Sequence, residues 1–152
     1  MNNILVADDE PQKIADVIEL LSSIIKADFT ESNCFDSTIN DIMNNTYDLI
    51  ILDMSLPTFS GKQEDRGRMR ALGGKDILEI MDYEDIKTPV IIFTQFDVFG
   101  RNKDIISLND IHSEISKNFS DFYLGSVMYD SRSSEWKREL IDLLPEGLRS
   151  DN

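Results

Sequence analysis

Cysteine is nearly absent: Cys34 is the only one in 152 residues. A lone thiol cannot close an internal disulfide, which excludes a cross-linked secreted scaffold and suits a reducing cytoplasm. Cys34 itself reads as a small hydrophobe in a strand. Histidine also occurs once, as His112 in a polar helical stretch, where it reads as a surface residue. No apolar run approaches the roughly 18 residues of a membrane span. The opening Met-Asn-Asn-Ile-Leu-Val lacks the basic region and long apolar core of a signal peptide, so none is expected. Positive charge is scarce, with 15 Lys and Arg against 29 Asp and Glu and a net charge of −14. That field repels a phosphate backbone, which argues against direct nucleic-acid binding. The acidity serves solubility or meets a basic partner surface, and composition does not separate the two. Internal repeats, low-complexity tracts and linkers are missing as well, so the chain reads as one domain.

Three short stretches form one chemical pattern. They are Ile4-Leu5-Val6-Ala7-Asp8-Asp9-Glu10, Leu49-Ile50-Ile51-Leu52-Asp53 and Val90-Ile91-Ile92-Phe93-Thr94. Each is an apolar run that ends in a polar residue, the signature of a parallel strand covered on both faces. In parallel α/β sheets the functional side chains sit just past the carboxyl ends of the strands. Asp8, Asp9, Asp53 and Thr94 are therefore expected to meet at one sheet edge. Three carboxylates that close together titrate abnormally unless a cation lies among them. Oxygen donors with no Cys or His nearby point to Mg²⁺ rather than zinc. Taken singly, Asp8 and Glu10 ahead of Pro11 also suit a helix cap.

Along the chain, strand and helix alternate, which implies a parallel sheet with helices on both faces. Strands are expected at about Ile4–Ala7, Phe29–Cys34, Leu49–Asp53 and Val90–Thr94, with a fifth inside Phe122–Tyr129. Helices are expected at about Pro11–Lys26, Ser37–Asn44, Lys75–Glu84, Asn109–Asn118 and from Ser134 to about Leu144. Ile14, Val17, Ile18, Leu21, Ile24 and Ile25 follow helical spacing in the first of these. A long segment runs from Met54 to Gly73. Its stretch from Gly61 to Arg70 holds four basic and two acidic side chains, too polar to bury, and reads as a surface loop above the carboxylate edge.

These residues, in this order, resemble the receiver domain of bacterial two-component response regulators. The likeness is best over residues 3–57 and 88–95: strand then Asp-Asp, strand then Asp53 with Pro57 four residues on, strand then Thr94. The resemblance implies a flavodoxin-like, doubly wound sheet of five parallel strands. It implies Asp53 as phosphoacceptor, Asp9 as a direct Mg²⁺ ligand, Asp8 acting through a water, and the backbone carbonyl of Ser55 completing the metal site. Thr94 would bond the new phosphoryl group and, with Tyr123 on the fifth strand, form the switch. A cation must cancel the repulsion between a dianionic phosphoryl group and a carboxylate.

The family commonly places a Lys at the end of the fifth strand, and here that strand holds none. Ser126 or a neighbour is expected in its place. Lys62, Lys75, Lys103 and Lys117 are candidates to reach the pocket, as are Arg66, Arg68 and Arg70 of the long loop. Gln95 follows Thr94 where the family prefers a small residue, and would narrow donor access or touch the phosphoryl group. Phe93, Phe96, Phe99, Phe122 and Tyr123 cluster near the late strands, most of them as core.

The expectation is a single receiver-like domain over residues 1–147, with a long loop at 54–73 and a tail at 148–152, in the cytoplasm. It would take a phosphoryl group from a histidine kinase or phosphotransfer protein. Having no output domain after the last helix, it would signal by contact with a downstream protein target. No membrane or nucleic-acid partner is expected, and a homodimer stays open. Substrate turnover is not expected; a phosphatase of related chemistry would carry a second Asp where Ser55 stands. The alternative is a phosphorylation-independent pseudo-receiver that acts as a protein-binding module.

Overall fold

The uninterrupted apolar runs become the interior strands of one sheet. In the computed structural model, residues 1–60, 67, 69–95, 98–99 and 106–148 are described. Five parallel strands, β1 (Asn2–Ala7), β2 (Ala27–Ser32), β3 (Leu49–Leu52), β4 (Val90–Thr94) and β5 (Tyr123–Met128), lie in the order β2-β1-β3-β4-β5. This is the flavodoxin-like, doubly wound order expected from the sequence. The helices are α1 (Pro11–Ser22), α2 (Phe35–Asn44), α3 (Gly73–Tyr83), α4 (Leu108–Asn118) and α5 (Glu135–Leu143). Two short antiparallel ladders join Leu56–Pro57 to Met69–Arg70 and Val98–Phe99 to Ile106–Ser107.

Alternation of side chains along each strand divides the interior into two cores. Leu5, Ala7, Ile50, Leu52 and Ile92 pack with Phe35, Ile42, Ile77, Met81, Ile111 and Ile115 of α2, α3 and α4. Ile4, Val6, Leu49, Ile51, Ile91 and Phe93 pack on the other face with Val17 and Leu21 of α1 and Trp136 and Leu140 of α5. The central strands need apolar residues at every position because both faces are covered.

Element boundaries differ from expectation in several places: β1, α2 and α3 each begin two residues earlier than read. α1 stops at Ser22, not Lys26: the Ser23 hydroxyl donates to the Leu20 carbonyl at 2.6 Å, and the chain must turn for Ala27 to pair with Asn2. β2 runs two residues earlier than the Phe29–Cys34 read from the sequence. Cys34 therefore lies outside the strand, a correction to its reading: it caps α2, its Sγ accepting from the Ser37 amide at 3.4 Å. The long segment after β3 includes one of the short ladders, while residues 61–66 and 68 lie outside the described ones.

The chain passes from β1 out to β2, then crosses back to place β3 on the other side of β1. That reversal opens a crevice beyond the carboxyl ends of β1 and β3, where open α/β sheets hold ligands.

Candidate functional site

The pocket is set by backbone bonds that carry the ladder past its last paired residues. The Asp53 amide donates to the Ala7 carbonyl at 2.9 Å, and the Asp8 amide to the Ser32 carbonyl at 2.8 Å. Asp8 and Asp53 thus leave neighbouring strands at the same level. One carboxylate oxygen from each of Asp8, Asp9 and Asp53 lies within 4.8 Å of the others. Asp8 and Asp53 are buried and Asp9 half-buried. Thr94 ends the adjacent β4 and is fully buried. The structure gathers these four as expected. Ser55 follows with its hydroxyl donating to the Ala71 carbonyl at 2.9 Å. Gln95 is exposed.

α3 closes the pocket floor. The Gly74 amide donates to the Met54 carbonyl at 2.8 Å. A β-carbon at Gly74 would come within 2.8 Å of the Asp53 carbonyl oxygen and 3.0 Å of the Met54 Cα. Only a glycine lets the helix lie this close to the backbone that carries Asp53.

The residue missing from the sequence reading is Lys13, in the first turn of α1. Its side chain is 1% exposed, and Nζ lies 2.6 Å from Asp8 Oδ2 and 3.2 Å from Asp53 Oδ2. The ring of Phe93 is 5.3 Å from the ammonium. A signal for it was present: Lys13 shares the i, i+4, i+8 stripe of Val17 and Leu21, and a charge inside an apolar stripe is the informative exception. Of the cations expected to reach the pocket, Arg70 instead lies 4.0 Å from the Phe35 ring centre and 3.9 Å from Asp76. Lys75 pairs with Glu114 at 2.8 Å, and Lys117 is exposed. Lys62, Arg66, Arg68 and Lys103, like Phe96, lie outside the described residues. Ser126 does not take the strand-end place: it stands opposite Ile92, while Met128 faces Thr94 across the ladder.

Burial pushes the Asp8 carboxyl up to about 6, and the neighbouring Asp53 charge adds to the rise against the pull of Lys13. Asp53 is raised too, by burial first, with Lys13 and the Thr94 hydroxyl opposing. Asp53 Oδ1 is buried without a hydrogen-bond partner. A buried anionic oxygen left unpaired is costly, and a hard divalent cation among the three carboxylates relieves both that cost and their mutual repulsion. The all-oxygen donor set fits Mg²⁺.

Tyr123 is not part of this pocket. It starts β5 opposite Val90, at the far end of the sheet from Thr94. Its hydroxyl bonds Ser126 Oγ and, at 2.7 Å, His112 Nδ1 of α4. Burial pushes its pKa up to about 12. His112 is therefore half-buried and bonded, a correction to its reading as a surface residue.

No family model matches the chain. The Detocs response regulatory protein DtcB of Enterobacter cloacae is 35% identical over 149 residues, which cover 94% of this chain and 98% of that one. The solved structure of response regulator protein TrrA from Thermotoga maritima, in complex with Mg²⁺-BeF, superposes with a TM-score of 0.60 at 20% identity, covering 95% and 100% of the two chains. The Mn²⁺-bound form of response regulator Rcp1 superposes at 0.64 and 15% identity, covering 100% and 98%.

Proposed function

We propose, since this chain belongs to the response regulator receiver family, that it accepts a phosphoryl group on Asp53 and relays the signal through protein contact. The observation that carries this reading is the unpaired, buried Oδ1 of Asp53 inside a three-carboxylate cluster. Asp8, Asp9, Asp53 and the Ser55 carbonyl would hold Mg²⁺, which supplies charge that lets an anionic phosphoryl group approach a carboxylate. Asp53 forms the new bond to phosphorus through a carboxylate oxygen. The bond from phosphorus to the donor's imidazole nitrogen breaks, and that nitrogen keeps the electron pair. Thr94, buried at the end of the next strand, would bond the transferred group.

The donor is a histidine kinase or phosphotransfer protein, and the reader is a downstream protein. The bond from Tyr123 to His112 ties β5 to α4, which supports that face as the surface to be read. Turnover of a separate substrate is not part of this function, because Ser55 offers no carboxyl as a general acid and spends its hydroxyl on Ala71. The free thiol of Cys34 suits a cytoplasmic setting. No helix among the described residues is long and apolar enough to cross a membrane.

Beryllofluoride, a phosphoryl mimic, tests the reading. Trp136 lies 5.3 Å from Phe93, ring centre to ring centre, so its fluorescence reports on the strand that ends in Thr94. Mg²⁺-dependent binding that Asp53→Asn abolishes is the expected result. Mg²⁺ binding without any response to beryllofluoride would instead favour a phosphorylation-independent binding module.

A further inference from the structure

The pocket already contains one fixed cation, and its origin is unusual. Lys13 sits in the first turn of α1, where the helix dipole disfavours positive charge. It is almost wholly buried, which lysine avoids unless paired. Neither placement serves the helix or the core. β5, the strand next to Thr94, ends in Met128 and brings no positive charge of its own to the edge.

Charge balance shows what the ammonium leaves undone. Three ionised carboxylates and one ammonium leave two negative charges, which one divalent cation cancels. Nζ is 3.2 Å from Asp53 Oδ2, while Oδ1 of the same carboxylate stays unpaired. The two Asp53 oxygens thus have separate surroundings: one faces Lys13, the other is buried with its bonding capacity unused. Phe93 lies beneath the ammonium and restricts where it can turn.

We propose that Lys13 is the phosphoryl-binding cation of this protein, acting from α1 beside the divalent ion. Before transfer its ammonium holds Asp53 through Oδ2. When Asp53 gains a phosphoryl group, the carboxylate gives up its charge and the ammonium follows the negative charge onto a phosphoryl oxygen. The ion pair with Asp8 tethers Nζ on one side while it turns from Asp53 Oδ2 towards the phosphoryl oxygen. This assignment rests on Asp53 being the phosphoacceptor, and the test separates the two.

The test measures Mg²⁺ and beryllofluoride binding to the full chain for the wild type, Lys13→Met and Asp53→Asn. Lys13→Met should keep or strengthen Mg²⁺ binding, because a competing cation is gone, and weaken beryllofluoride binding at least tenfold. Wild-type affinity for beryllofluoride in Lys13→Met overturns the role of Lys13 and leaves Asp53 as acceptor. Binding to the wild type without Mg²⁺ also overturns it, because the ammonium would then be replacing the ion. No binding to the wild type, with Mg²⁺ bound, sinks the phosphoacceptor reading itself. Should Lys13→Met fail to fold, the Lys13 side-chain resonances of the wild type decide. They should shift when beryllofluoride is added to the Mg²⁺-loaded protein; resonances that stay still reject the proposal.

Discussion

Asp8 holds its proton far longer than a free aspartate, because it is shut from water beside a second carboxylate. In metal-free protein its pKa of about 6 stands above the 3.8 of the unfolded side chain. Between those values the unfolded chain releases its proton first, so this group's contribution to stability falls as pH rises from about 4 to about 6. Asp8→Asn cannot titrate and escapes that loss. Urea denaturation over the same pH range should show the variant gaining on the wild type by on the order of 2 kcal/mol. Saturating Mg²⁺ should shrink the gain, because the ion stabilises the ionised form. A difference that does not move with pH would reject the assignment of the shift to Asp8. The acidic residues were legible because each directly follows an apolar strand. Lys13 was not, because a stripe is recognised by its apolar members and the lysine breaks it, and because its partners come from two other strands.

Two glycines mark where whole elements press on one another. Gly74 lets α3 rest on the Asp53–Met54 backbone, which has no flexible end to yield. Gly125 has φ +154° and lies where a β-carbon would meet Leu143 Cδ1 at 2.9 Å. It follows an irregularity at which Val90 pairs with Tyr123 but Ile91 with Gly125, leaving Leu124 as an extra residue in β5. Either glycine changed to alanine should lower stability by roughly 1–3 kcal/mol. Only Gly74→Ala should also weaken Mg²⁺ binding, since only it displaces Asp53. Thermal melts alongside Mg²⁺ titrations separate the two, and equal Mg²⁺ affinities would show that the floor of the pocket tolerates the shift. The same contrast explains which elements could be read from the sequence. β1, β3 and β4 are interior and announce themselves as apolar runs. β2 lies at the sheet edge with mixed burial, so nothing in its residue pattern set its ends, and pairing with β1 decided them. The short ladders depend on pairing across intervening loops, which periodicity does not register.

At the scale of the whole molecule the net charge of −14 is a repulsion that folding must overcome. Salt should therefore stabilise the metal-free protein, because the Debye length falls from about 30 Å at 0.01 M to about 3 Å at 1 M. Melts in KCl across that range should show a rising midpoint, and a flat one would mean that the charges are already spread too widely to matter. Mg²⁺ should raise the midpoint at far lower concentration than KCl, through the carboxylate pocket. A parallel sheet was legible because strands and helices alternate, and its flavodoxin-like order came with the family resemblance. The placement of Lys13 also has a consequence in time. Asp8, Asp9 and Lys13 lie within six residues, and Asp53 completes the charged set before β4 or β5 has been reached along the chain. Domains assemble from the amino end during synthesis, and contacts close in sequence form at little loop-closure cost. A chain still emerging from the ribosome can thus quench its most repulsive cluster with residues 8–53 alone, without waiting for the last strand.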